Sequence, residues 1–407
     1  MQENNISAGN LEQCLKCNLC TLVCPMMAVN AHYPGPKKAG PDGERYRLKD
    51  PQYYDYALKY CLNCKRCEVA CPSGVMVGDI IQAARLRYAG HNLRDWALAN
   101  TDLVGSLASP FAPVVNGVLG LKPVKSLMHA FMGVDSHRTF PSYSARRFTS
   151  WMRRQDQGGF DKFVSFFHGC YVNYNYPQLG KDLVRLVNAA GYGVHLLEKE
   201  KCCGVALMSN SMGAQARRQG EINLASMRKA IAAGEDILTV SSTCTFTMRD
   251  EYPHVLALEN AEVRPHLMLL SKWLYQKMES GEVSLRFRRD LHLKIAYHTS
   301  CHMQKLGWRN FTLELLRKIP GVELVEMDQQ CCGIAGTFGF KKENYAYSQA
   351  IGGRLFDEIG AARVALGAQS DPGFVVCTEC ETCKWQIEMS TGVPVMNPVS
   401  ILAMALE

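Results

Sequence analysis

Four cysteines fall within eleven residues near the start of this chain, Cys14-x2-Cys17-x2-Cys20-x3-Cys24, and Pro25 follows the fourth. The same spacing returns at Cys61-x2-Cys64-x2-Cys67-x3-Cys71, again closed by a proline, Pro72. Three cysteines at x2 spacing bring their thiols together on one short loop, and a proline follows the fourth in both runs. The chain holds 18 cysteines in 407 residues, gathered in tight local groups with long cysteine-free stretches between them. A secreted disulfide framework is short and evenly dense in cysteine. Local clusters in a long chain instead point to thiolates used as metal ligands in a reducing compartment. The polar stretch Met1 to Asn10 offers no apolar signal core, so a cytoplasmic location is expected.

The two runs resemble the motif of bacterial two-cluster ferredoxins, in which each run supplies three ligands to one [4Fe-4S] cluster and its last cysteine to the other. That resemblance implies Cys14, Cys17, Cys20 and Cys71 around the first [4Fe-4S] cluster, and Cys61, Cys64, Cys67 and Cys24 around the second. Structural zinc is the competing reading. Its four ligands usually come in well-separated pairs, which four cysteines in eleven residues fit poorly. The Gly, Asn and Lys residues near the cysteines suit hydrogen bonds and charge around the sulfurs, which tune potential.

Hydrophobic residues make up 47% of the chain and charged residues 20%, as in an ordinary folded protein. Three segments are expected. The first, 1–90, contains both runs and closes with an amphipathic helix from Gly78 to Ala89. A helix from Tyr54 to Tyr60 leads into the second run. The next segment, 91–157, has no cysteine; residues 91–155 carry +5 of the net charge of +7. Leu103 to Leu121 is free of charge but interrupted by Pro110, Pro113 and three glycines, marginal for a spanning helix. With the basic and aromatic stretch Phe140 to Arg154, it is expected to lie on a membrane surface without crossing it. No nucleic-acid module accompanies the charges.

The rest is an internal repeat. Each half has a short strand ending near His and Cys, at Cys170 and at Cys301. A strand then leads into Cys202-Cys203-Gly204 or Cys331-Cys332-Gly333, and a further cysteine site follows at Cys244 or Cys380. Strands alternate with helices, so each half reads as an α/β unit around a mostly parallel sheet. The fold class is therefore multidomain α+β and α/β: a mainly helical first domain, a linker, and α/β domains at 158–290 and 291–407.

These halves resemble the cysteine-cysteine-glycine domains of the heterodisulfide reductase B-subunit and of related respiratory iron–sulfur proteins. There, five cysteines hold a noncubane [4Fe-4S] cluster. The resemblance implies such a cluster at Cys301, Cys331, Cys332, Cys380 and Cys383, with Cys377 an extra neighbour. In the first half Thr247 stands where the fifth cysteine would be. Cys170, Cys202, Cys203 and Cys244 are left for a cluster, a zinc ion or an empty site. His168, His298 and His302 are expected as core or hydrogen-bonding residues before ligands. No Rossmann or P-loop fingerprint is present, so the chain is expected to relay electrons without a flavin or nicotinamide of its own.

The order of parts resembles iron–sulfur subunits of glycolate oxidase, lactate-utilisation enzymes and anaerobic glycerol-3-phosphate dehydrogenase. The stretches 33–45, 166–175 and 380–390 are most similar to the C-subunit family of the last. That resemblance implies flavin-containing catalytic partner subunits that oxidise sn-glycerol 3-phosphate. It also implies electron delivery to menaquinone and peripheral docking at the cytoplasmic face of the inner membrane. No catalytic residue is expected on this chain. An iron–sulfur subunit of a glycolate or lactate oxidising complex, a disulfide-reducing role and a zinc-dependent scaffold are the alternatives.

Overall fold

The structure, a computed structural model, describes residues 8–51, 53, 55–369 and 371–407. The polar start at 1–7 and Tyr54 of the expected helix lie outside them; of that helix, Tyr56–Tyr60 forms a 3-10 turn. Among the described residues the first domain contains no strand. Its two cysteine runs each end in a single helical turn, Leu19–Leu22 and Arg66–Val69. The closing helix spans Val77–Tyr88 and buries Val77, Ile80, Ile81 and Ala84 against Leu58, Tyr33 and the cysteine loops.

Two four-stranded sheets follow. β1 (Phe163–Phe166), β2 (Gly193–Leu196), β3 (Ile237–Thr239) and β4 (Leu267–Leu269) pair in the order β2-β1-β3-β4. β5 (Leu293–Tyr297), β6 (Val322–Glu326), β7 (Phe374–Cys377) and β8 (Val395–Met396) repeat that order as β6-β5-β7-β8. Every pairing is parallel. A parallel sheet needs both faces covered by its crossover helices, which explains why β1, β3 and β7 are nearly or wholly apolar. Identical strand order bears out the internal repeat at the level of topology.

The halves share one core. The last helix, Pro398–Ala405, packs on Pro177–Ala189 of the first half, and Ser400 donates to Asp182 at 2.5 Å. Phe166, Leu183 and Trp273 of the first half belong to the same apolar cluster as Ile295, Leu315 and Leu402 of the second. At the seam, Ser242 N–H donates to Glu379 O at 2.9 Å and the Ser242 and Ser300 hydroxyls meet at 2.9 Å.

The segment between the first domain and the repeat departs from expectation in two ways. Thr101–Gly120 is one continuous twenty-residue helical stretch, with about a fifth of its most apolar window buried. Pro110 sits in a tightened 3-10 turn and Pro113 at the start of the following α-helical piece, positions where the missing N–H is tolerated. Among the described residues it is the single helix long and apolar enough to cross a membrane. Its small residues Gly105, Ala108 and Ala112 face the protein, and a Cβ on Gly105 would lie 2.6 Å from the Tyr174 ring. Leu103, Leu107, Phe111, Val114, Val118 and Leu121 are exposed, at the spacing of one helical face. Leu127 and Phe131 continue the exposed apolar surface, Phe131 at 82%.

The basic-aromatic stretch, by contrast, is packed against the two repeats. Phe148 is fully buried against Phe166 and Val172, Trp151 packs on the same core, and Phe140 packs on Phe340. Arg138 is buried, donating to Gly339 O at 2.6 Å and Ser348 Oγ at 2.7 Å. Arg147 donates to Ser106 O at 2.6 Å and lies over Tyr174. The aromatic side chains expected in the acyl boundary are thus core and seam residues, because amphipathic segments bury apolar surface wherever a neighbour provides it.

Candidate metal centres and their surroundings

Within the two runs Lys16, Asn18, Asn63 and Lys65 occupy the left-handed region, with φ of 59°, 65°, 55° and 59°. The matching positions of both loops thus share a backbone that turns successive N–H groups inward, a geometry suited to anionic sulfur. Asn63 N–H approaches Cys61 Sγ at 3.5 Å and Val75 N–H approaches Cys71 Sγ at 3.3 Å. Cys24, Cys61, Cys64 and Cys67 line one small cavity, walled also by Tyr33, Lys65 and Ile81. Burial pushes the Cys24 thiol up to about 11, with further help from neighbouring Cys61. Cys20 faces Cys14 and Cys17, and Cys71 packs in the same apolar cluster.

All the cysteines of the repeat except Cys377 lie beyond the carboxyl ends of β1, β2, β3, β5, β6 and β7, in the connecting loops or, for Cys244, Cys301 and Cys383, in the helices that follow, where open parallel sheets place their ligands. In the second half Cys301 Sγ and Cys331 Sγ are 3.9 Å apart, the Cys383 N–H donates to Cys380 Sγ at 3.3 Å, and Cys332 lies beside Cys383. A hydrogen bond with Cys331, seconded by Cys64, holds Cys301 well below the usual thiol range, while Cys331 is pushed well above it. Cys377 ends β7 and is buried in the shared core, away from the other five. In the first half Cys170 and Cys202 are 3.8 Å apart and Cys203 lies beside Cys244. Thr247 is buried, and its hydroxyl donates to Glu251 at 2.9 Å.

The sites form a row. Cys64 lies beside Cys301, and the Arg66 guanidinium lies beside Cys301, Cys331 and Cys64. Across the seam Thr243 Oγ1 is 3.9 Å from Cys380 Sγ, and Ser241 Oγ donates to Glu381 at 3.0 Å. Glu381, raised to about 8 by burial and then by Cys380, also senses Cys202. At the far end the Cys202 N–H donates to Asp102 at 2.6 Å, in the first turn of the apolar helix. Burial and the Cys202 sulfur raise Asp102 to about 7.

Among the described residues no group of three His, Cys, Asp or Glu is set to hold a single metal ion. His298 is fully buried with neither ring nitrogen partnered, and burial lowers it to about 4. A neutral imidazole always carries one N–H, so this position calls for an acceptor, which a sulfide beside Cys301 would supply. His302 contacts Thr243 Oγ1 and Asn63 O, each at 3.2 Å, and His168 contacts Gly169 O at 3.0 Å and Glu200. Both are engaged in hydrogen bonds. Asp102, Glu251 and Glu381 were invisible in the sequence, since each acts across a fold-level contact.

Residues 10–75 match the 4Fe-4S dicluster domain family, and residues 164–249 and 295–388 each match the cysteine-rich domain family. Fold and matches together define an iron–sulfur protein of the dicluster and cysteine-rich type. The C-subunits of anaerobic glycerol-3-phosphate dehydrogenase from Escherichia coli K12 and O157:H7 are 53% identical over 98% of this chain and 99% of theirs. The chain belongs to that C-subunit family. The B-subunit of fumarate reductase (CoM/CoB) from Methanothermobacter marburgensis is 24% identical over 97% of this chain and 72% of its own. Lactate utilization protein A of Geobacillus kaustophilus is 30% identical over 44% of this chain and 74% of its own.

Proposed function

We propose that this chain carries electrons from flavin-containing catalytic subunits, which oxidise sn-glycerol 3-phosphate, to menaquinone, and that it docks their complex on the cytoplasmic face of the inner membrane. Family membership supports the first part. The observation that carries the rest is the row of thiol sites that ends at Cys202, tied to the root of a helix with an exposed apolar face. In this reading Cys14, Cys17, Cys20 and Cys71 hold one [4Fe-4S] cluster, and Cys61, Cys64, Cys67 and Cys24 hold the second. Cys301, Cys331, Cys332, Cys380 and Cys383 hold a noncubane cluster. Cys170, Cys202, Cys203 and Cys244 hold a further cluster or zinc. When bound, the iron–sulfur centres would supply one-electron transfer, whereas zinc, which has no redox chemistry, would not. The chain's part is to space the thiols, exclude water from them, and set local charge through Arg66 and Lys65.

The small residues on the inner face of Thr101–Gly120 let it lie flat on the protein, its large apolar side chains turned outward, the geometry of an interfacial anchor. Oxidation of the secondary alcohol releases two electrons and two protons, and menaquinone takes up two of each. The test is the anaerobically purified complex with its partner subunits. Glycerol 3-phosphate should reduce a menaquinone analogue, with more than eight irons per chain and cluster signals by EPR. About eight irons would remove the repeat as an iron site, and zinc with little iron would remove the relay altogether.

A further inference from the structure

The position of the missing fifth cysteine is occupied by a side chain that is hydrogen-bonded to a carboxylate. Cys244-x2-Thr247 corresponds to Cys380-x2-Cys383. Thr247 is fully buried and donates to Glu251 Oε2 at 2.9 Å, one helical turn on. Glu251, also fully buried, accepts from Asn63 Nδ2 at 2.6 Å and pairs with Lys65 Nζ at 3.2 Å through its other oxygen. Asn63 and Lys65 are the two neighbours of Cys64. Both carboxylate oxygens are therefore used, one inside the repeat and one on a loop nearly two hundred residues earlier.

We propose that the first repeat has given up its fifth thiolate for a charge clamp, with Thr247 and Glu251 as positioning residues for the loop of Cys61, Cys64 and Cys67. The proposal rests on the reading that these three thiols and Cys24 hold an iron–sulfur centre. Three features carry it. The clamp is confined to one of two loops with the same backbone: Lys16 and Asn18 stand at the matching positions of the first run and are exposed. It lies in a dry enclosure, where Lys65 also pairs with Asp79 and lies 3.9 Å from Glu68, which pairs with Lys305 at 3.0 Å. In such surroundings charges act far more strongly than in water. Finally, the hydroxyl is a better donor to a carboxylate than a thiol, so threonine suits the clamp and cysteine the metal.

Reduction adds negative charge to the centre. Removing the Glu251 charge therefore eases reduction, and removing the Lys65 charge opposes it. The experiment is an EPR-monitored redox titration of the whole complex. Glu251→Gln should raise the midpoint potential of the centre that depends on Cys61, Cys64 and Cys67. Lys65→Met should lower it, and the other ferredoxin centre in the same samples should stay put. Opposite shifts are a signature that simple loosening of the fold does not give. Thr247→Val should speed iron loss from that centre to a chelator about three- to tenfold, the value of one hydrogen bond. Thr247→Ser should restore it and Thr247→Cys should not. Unmoved potentials, equal shifts in both centres, or extra iron bound by Thr247→Cys would overturn the clamp. A wild type lacking the centre altogether would instead overturn the ligand reading beneath it.

Discussion

Gly204 and Gly333 close the same three-residue motif, and their surroundings differ. Both hold left-handed backbone, φ 91° and 83°. A Cβ on Gly204 would meet Ala216 at 3.4 Å, ordinary contact, whereas on Gly333 it would lie 2.0 Å from Ser348 O. Gly204→Ala should cost about 1–2 kcal/mol, the left-handed penalty alone. Gly333→Ala should cost more than about 4 kcal/mol, since backbone must move. Thermal melts of the two variants should separate by that order. The cysteines also divide at this scale. Cys24→Ser should abolish the signal of the centre built on Cys61, Cys64 and Cys67 and spare the other; EPR of the singly substituted complex decides. Cys377→Ala should leave iron content unchanged, while Cys383→Ala should lower it. Sequence counts six cysteines in the second repeat, and only the end of β7 separates Cys377 from the rest.

At the scale of elements, the helix Thr101–Gly120 makes a sharper prediction than its composition allowed. Leu107 and Phe111 are 65% and 67% exposed, so serine in place of Leu107, Phe111 and Val114 should leave stability within about 0.5 kcal/mol per site. Flotation with anionic liposomes should fall steeply, since each apolar side chain entering the acyl boundary is worth about 1.5–3 kcal/mol. Lys122→Glu with Lys125→Glu should weaken binding more modestly, by about 1 kcal/mol per charge, and chiefly at low salt. Unchanged flotation of the triple variant would remove the helix from the docking surface. Arg147 belongs to a different class: it ties this helix to Tyr174, so its loss should lower stability as well as any binding.

For the whole molecule, the repeats are two in sequence and joined by one shared apolar cluster, beside a further cluster within each half. Val399, Ile401 and Leu402 of the last helix are buried in a cluster shared with Leu183 and Phe166. Burial of such residues is worth about 1.5–3 kcal/mol each, together comparable to the whole stability of a domain. A chain truncated after Asn397 should therefore lose protease resistance in both repeats, measured by limited proteolysis of the first repeat's fragments. Survival of residues 158–290 intact would mean that the first repeat folds on its own.

Spacing along the chain determined which thiols share a loop, because the cysteines of a Cys-x2-Cys run stand within one short turn of one another. It also pointed to the repeat, since the corresponding cysteines of the two halves lie 131, 129 and 136 residues apart. Alternating apolar runs and amphipathic helices were enough for two parallel α/β units. What the tertiary structure alone decided is everything that acts between segments remote in sequence. Glu251 meets Lys65, Asp102 meets Cys202, Arg66 meets Cys301, and Phe148 enters a core where an aromatic among arginines had suggested a lipid surface. Local pattern records how a segment divides apolar from polar side chains. Which surface, protein or membrane, receives the apolar side is settled only when the other segments have taken their places.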